Sequence, residues 1–273
     1  MVTASQLTVP GKDRDLEAFL ALPDGPTKRR PAVVVIHEIF GPDPHIQDVT
    51  HRLANEGYVA LAPNLFTGEI AELLTPKAIG ESMGFLRALP PEVQRDPAQI
   101  QERIRQQPAE QQRPLAAMFK IQDPARHRIF AEDLLGVARY LRARDDVAPE
   151  NVGSVGFCFG GGMSALFAGT DPELAGAVIF YGNSPPSDVV AKIRCPVLGL
   201  YGAEDRRITD TVPKLAQEAE AHGVNFSFHI YAGAGHGFFN DTRTSAYQEE
   251  AARDAWHRVL EFFHSHLESR SSP

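Results

Sequence analysis

Gly156-Phe157-Cys158-Phe159-Gly160-Gly161 is the stretch on which the reading of this chain turns. It follows an apolar, strand-like run, Val152 to Val155, and precedes a helix-like one, Met163-Ser164-Ala165-Leu166-Phe167-Ala168. A Gly-x-nucleophile-x-Gly turn between strand and helix holds the nucleophile on a sharp, strained corner, and the flanking glycines let the backbone pass close by without a clash. Here the central position holds cysteine where serine is usual. The competing reading is a buried packing cysteine in a glycine-rich turn.

Two further segments weigh against the packing reading. Val197-Leu198-Gly199-Leu200-Tyr201-Gly202 reads as a strand opening into the loop Ala203-Glu204-Asp205-Arg206. Phe226-Ser227-Phe228-His229-Ile230-Tyr231 alternates like a strand and runs into Gly233-Ala234-Gly235-His236-Gly237-Phe238. The chain order is therefore nucleophile, acid, histidine, each on a loop just after a strand. This is the order of an α/β-hydrolase triad. Cys158, Asp205 and His236 are its candidates, with Glu204 the adjacent rival for the acid.

The surrounding pattern predicts an α/β fold. Pro31-Ala32-Val33-Val34-Val35-Ile36-His37 is a continuous β-branched run of the kind buried on both faces of a central strand. Gln6 to Leu22 predicts one or two edge strands. Strands follow at Tyr58–Ala62, at the elbow, and at Ala175–Tyr181, Val197–Tyr201 and Phe226–Tyr231. Helical patterns lie between and after them, including Thr209–His222 and a last helix from about Ser245 to Leu267. Such alternation needs crossover connections, hence a mostly parallel sheet with helices on both faces.

With 273 residues the chain suits one large α/β-hydrolase domain spanning residues 1–273. The stretch from about Leu89 to Pro124 breaks the rhythm. It is rich in Gln, Arg and Glu and cut by Pro90, Pro91, Pro97, Pro108 and Pro114, so it predicts a polar insertion, either a solvated excursion or a cap. A formal net charge of −8 argues against a nucleic-acid binder and offers no basic patch for a membrane. No run approaches a membrane span, and Met1 to Gln6 lacks the marks of a signal peptide. With only Cys158 and Cys195, a disulfide framework is not expected, and a thiol nucleophile suits a reducing compartment, the cytoplasm. No cluster has metal-site spacing.

The chemistry these residues support is acyl transfer. A thiol attacks as thiolate, and the start of the helix after the elbow favours the anion. His236 is the base or imidazolium partner and Asp205 its orienter. The oxyanion needs donors, and the backbone N–H of Phe159 is one. The loop His37-Glu38-Ile39-Phe40-Gly41 supplies the second from Ile39, while Glu38 is an unusual carboxylate for this position. Tyr181, at its strand end, reads either as a pocket residue or as core, and Phe238 and Asn240, just after His236, join it as candidate substrate contacts.

Together, His37-Glu38-Ile39-Phe40-Gly41, the Cys158 elbow, the Asp205 loop and Gly235-His236-Gly237-Phe238 resemble the dienelactone hydrolase family over nearly the whole chain. The resemblance implies an α/β-hydrolase fold with a Cys158, His236 and Asp205 triad. It implies that Glu38 neighbours the thiol and helps generate thiolate when substrate binds. It also implies hydrolytic opening of an enol-lactone such as 4-carboxymethylenebut-2-en-4-olide to maleylacetate, with no metal or organic cofactor. Members of that family hold the substrate carboxylate with arginines, one of them a few residues after the histidine. Here that stretch reads Gly237-Phe238-Phe239-Asn240-Asp241, and Arg243 is the nearest arginine. A broader carboxylesterase or thioesterase on the same triad is therefore the alternative enzyme. A non-catalytic binding or thiol redox-sensing protein is the alternative of another class.

Overall fold

A computed structural model describes residues 2–25, 29–94 and 96–268. Eight strands form one sheet in the order β1-β2-β4-β3-β5-β6-β7-β8. They are β1 (Thr3–Pro10), β2 (Asp15–Leu22), β3 (Arg30–Ile36), β4 (Val59–Pro63), β5 (Val147–Phe157), β6 (Gly176–Phe180), β7 (Val197–Gly202) and β8 (Phe226–Tyr231). β2 runs antiparallel to both β1 and β4, and every pairing from β4 through β3 to β8 is parallel. This is the α/β-hydrolase fold, a mostly parallel sheet carrying helices.

The strands form where the sequence offers residues for a surface covered on both sides. β4 and β6 are buried along their whole length, and β3 from Ala32 onward. One layer of core joins Val33, Val35 and Phe157 to Ile46, Val49 and Leu53 of the helix Pro44–Asn55, and to Val259 and Phe263 of the last helix. Asp43 starts the first of these helices: its carboxylate accepts the Ile46 N–H at 3.1 Å, with Pro44 in the first turn. The last helix runs Glu249–Phe263 and continues as a wider turn, His264–Glu268. It begins later than its pattern predicts because Arg243, Ala246, Tyr247 and Gln248 spend their N–H groups on local turns and on Phe238 O.

Residues Leu65–Ile129 form a compact unit of their own, distinct from the unit made of Met1–Asn64 and Phe130–Pro273. It is helical, with helices Glu69–Leu73, Pro76–Ala88, Pro91–Gln94, Pro97–Arg105 and Ala109–Lys120. Leu89, Val93, Ile100, Ile104 and Leu115 make its core, with Phe85, Leu86 and Phe119 packed against them. Pro76 and Pro97 stand in first turns capped by Thr75 and Asp96, so these prolines open helices as much as they end them. Pro114 lies inside the helix Ala109–Lys120.

Candidate active site

Strand order places the site. The chain steps from β3 to β4 on one side and returns to β5 on the other, so the carboxyl ends of β3 and β5 flank a crevice at the switch point. Glu38 and Ile39 follow β3, Cys158 follows β5, and Tyr181 follows β6. The loops after β7 and β8 bring Asp205 and His236.

Cys158 sits at φ 54°, ψ −112°, immediately before the helix Phe159–Thr170. Left-handed φ is costly for a non-glycine residue and marks a corner held by its surroundings. What holds it is close packing. A Cβ on Gly160 would lie 2.2 Å from Ile36 O, so the first turn of the helix presses on the end of β3. The Cys158 N–H donates to Phe180 O at 3.0 Å, fixing the corner to β6 as well.

The acid and histidine loops are bonded to one another. Ala203 N–H donates to Tyr231 O and Glu204 N–H to Ala234 O, both at 2.9 Å. Asp205 leads the short helix Arg206–Thr209, and Thr209 Oγ1 donates to Gly202 O at 2.7 Å. In this frame His236 Nδ1 lies 2.5 Å from Asp205 Oδ2, and His236 Nε2 lies 3.0 Å from Cys158 Sγ. The Glu204 side chain faces solvent, so Asp205 is the carboxylate that meets the imidazole. Such an arrangement can pass a proton between sulfur and ring while the carboxylate steadies the ring's charge. Burial opposes that charge, but the hydrogen bonds to Asp205 and Cys158 outweigh it and push His236 up to about 10.

Glu38 is buried beside this line, at 1% exposure. Asn240 Nδ2 donates to its Oε2 at 2.9 Å, and Asn240 Oδ1 in turn accepts from Thr242 N–H and Oγ1–H at 3.1 and 2.6 Å. Asn240 is fully buried and its amide is thus committed within the protein. Phe238 is also fully buried, packed with Phe180, Tyr181 and Tyr231. Tyr181 has its ring 5.1 Å from that of His236, edge-on. Among the described residues no group of three or more His, Cys, Asp or Glu is placed to hold a metal ion. No described helix is long and apolar enough to cross a membrane.

The model of the dienelactone hydrolase family matches residues 16–267. The chain belongs to that family. A Saccharolobus solfataricus protein named "Putative carboxymethylenebutenolidase" is 37% identical over 248 residues, covering 90% of this chain and 93% of its own. A Synechocystis protein of the same name is 31% identical over 278 residues, covering 97% and 98%. A crystal structure named "Putative Dienelactone Hydrolase", from Klebsiella pneumoniae, shares 30% identity at a TM-score of 0.72, over 96% of this chain and 98% of that one.

Two features of this dienelactone hydrolase family member were not visible from residue types. One is the Asn240–Glu38 bond, which spans 202 positions. The other is Arg243, whose guanidinium carbon lies 4.0 Å from the centre of the Phe40 ring, next to the Glu38-Ile39 turn. A cation seated on an aromatic face is held in place without a carboxylate partner. Only an arginine seven residues beyond the histidine, returned by the turns at 240–247, could have hinted at it.

Two histidines, one buried and one half-buried, give stability a defined pH dependence. His37 is fully buried with Nδ1 2.5 Å from Glu38 O, and burial pushes it down to about 4. It therefore contributes stability above its ordinary 6.5 and loses it as pH falls towards about 4. His236 is raised, so its contribution is complete below 6.5 and is lost as pH climbs through about 10. Denaturant midpoints measured across this range are expected to peak near neutrality and fall on both sides. Asp205→Asn should flatten the alkaline fall. A midpoint that keeps rising from neutral to alkaline pH would mean that His236 carries no stabilised proton.

Proposed function

We propose that this chain is a cysteine-dependent hydrolase that opens enol-lactones of the dienelactone type, giving maleylacetate-like products through an acyl-cysteine. The observation that carries the reading is the unbroken line from Asp205 through His236 to Cys158 Sγ, with the sulfur on a strained corner. Cys158 is the nucleophile, His236 the proton carrier and Asp205 its orienter. Glu38 takes the thiol proton when substrate binds, and the Ile39 and Phe159 N–H groups receive the oxyanion.

The thiolate attacks the lactone carbonyl, and collapse of the tetrahedral species breaks the ring C–O bond. The leaving group is an enolate, which takes the proton of the His236 imidazolium and becomes a ketone, so it departs readily. Water then attacks the acyl-cysteine. His236, neutral after giving its proton to the enolate, accepts the water's proton, the C–S bond breaks, and the sulfur takes its proton back from Glu38. No step calls on a metal or organic cofactor. A small-molecule ester or lactone is the ligand this site suits, nucleic acid is not, and the cytoplasm is the compartment that keeps such a thiol reduced.

Arg243 on the Phe40 ring supports a substrate bearing a carboxylate. The second reading, a broader esterase or thioesterase, draws on Asn240, which bonds to Glu38 where family members place an arginine. Turnover of cis-dienelactone and of neutral p-nitrophenyl acetate separates them. Under the first reading Arg243→Ala raises KM for the dienelactone by roughly ten- to a hundredfold, the weight of a charge-assisted hydrogen bond, and leaves the neutral ester unchanged. Hydrolysis of the neutral ester alone, indifferent to Arg243, selects the second.

A further inference from the structure

Two polar atoms beside the nucleophile are buried and lack a hydrogen-bond partner in this conformation: the Tyr181 hydroxyl and Glu38 Oε1. Their needs are complementary. A phenol offers one O–H, and a carboxylate oxygen only accepts. A buried polar atom left unmatched is a liability, and phenylalanine at 181 would remove one. Tyr181 is also held at φ 38°, the only described non-glycine residue besides Cys158 in the left-handed region. Its N–H donates to Leu200 O at 2.9 Å, and its ring meets those of Phe180, His236 and Phe238 edge-on at 5.9, 5.1 and 5.5 Å. Backbone and ring are thus both fixed, in a conformation that is retained at a cost.

We propose that Tyr181 is a positioning residue acting through Glu38: its hydroxyl donates to Glu38 Oε1 and thereby keeps the resting proton on Cys158 Sγ. This inference rests on the proposed role of Glu38 as acceptor of the thiol proton. That transfer breaks the S–H bond and makes an O–H bond on the carboxylate, with no change in the pair's total charge. A donor to the carboxylate favours its charged form and so opposes the transfer. The sulfur then stays guarded until binding disturbs the carboxylate.

The neighbouring charges agree with this role. Burial, then the nearby Glu38 carboxylate, holds the Tyr181 phenol well above its ordinary value, so it remains a neutral donor. Titratable groups near this pair include His37, bonded to Glu38 O, and His45 on the helix Pro44–Asn55, which has Asp43 and Asp241 near it, with His236 and Arg243 on the Tyr181 side. Burial holds His45 below its ordinary value and keeps it neutral. Asn240 already occupies Oε2, which leaves Oε1 to the phenol.

The test reads the proton, not the substrate. Cys158 of the full-length protein is alkylated with iodoacetamide at neutral pH and followed by mass spectrometry. Tyr181→Phe is expected to react about tenfold faster than the parent, the effect of losing one hydrogen bond to a charged group. In a Glu38→Gln background the same change should have no effect. An unchanged rate in Tyr181→Phe overturns the proposal, and so does an equal acceleration without Glu38. Site-specific 3-fluorotyrosine at 181, a stronger donor, should slow alkylation below the parent, and it decides the matter if the phenylalanine variant does not fold. Lactone and ester turnover are measured separately. A protein that hydrolyses neither yet shows the Glu38-dependent acceleration loses the proposed activity and keeps the proton assignment.

Discussion

A Cys158→Ala protein is expected to fold, to bind its ligand and to hydrolyse neither cis-dienelactone nor p-nitrophenyl acetate at a useful rate. The loss in kcat should be about 10⁴-fold or more, as when the nucleophile of a coupled triad is removed. No second thiol can stand in for this one. Cys158 Sγ receives the imidazole at 3.0 Å, and Cys195, the other cysteine, is buried. Alanine is tolerated because only Sγ is removed while the backbone corner is held by its neighbours. Ligand affinity, read by calorimetry with the intact lactone, should stay close to that of the parent. Residual hydrolysis near the parent rate would move the nucleophile elsewhere. Cys158→Ser is the finer comparison. An alcohol holds its proton far more tightly than a thiol, so His236 and Glu38 must remove it within the reaction, and turnover should be slow but present.

Gly156→Ala should be the most damaging single methyl in the chain. A Cβ there would stand 1.9 Å from Gly160 O and 2.3 Å from Gly160 C, backbone atoms of the helix that the elbow launches. No rotamer relieves a Cβ clash. The helix must shift away from β5, taking with it the contact between Gly160 and the end of β3. Overpacking against backbone combined with loss of a strained corner falls among the severe substitutions, above about 4 kcal/mol. The expected result is a large drop in denaturation midpoint or no soluble folded protein. A variant with parental stability would mean that the elbow has slack and that the sulfur is not rigidly aimed.

The elbow was legible because its first glycine answers to local sterics. Gly156 is required by backbone atoms of Gly160, four residues on, so spacing in the sequence carries that information, whereas Gly160 answers to Ile36 O on the distant strand β3. The parallel strands were legible for a related reason: a strand covered on both faces, such as β6, must be apolar at every position. The helical unit at Leu65–Ile129 was harder to read. Its core residues Leu89, Val93, Ile100, Ile104 and Leu115 stand singly among Gln, Arg and Glu, so composition averaged over the stretch looks solvated. Of its prolines that looked like interruptions, Pro91 and Pro97 open helices. At the site, Asn240 drew attention by its nearness to His236. Whether a buried amide faces a ligand or a carboxylate 202 positions away depends on the approach of two loops, which no local pattern encodes.

That span has a consequence for how the chain is made. A ribosome delivers the elbow first, then Asp205, and only afterwards β8, His236 and Asn240. Throughout that interval Cys158 lacks its imidazole, 78 residues downstream, and Glu38 lacks its amide donor. Under the proposed mechanism the thiol meets its proton partners only when the last strand joins the edge of the sheet, so a product truncated before β8 would be inert towards the substrate as well as unfinished.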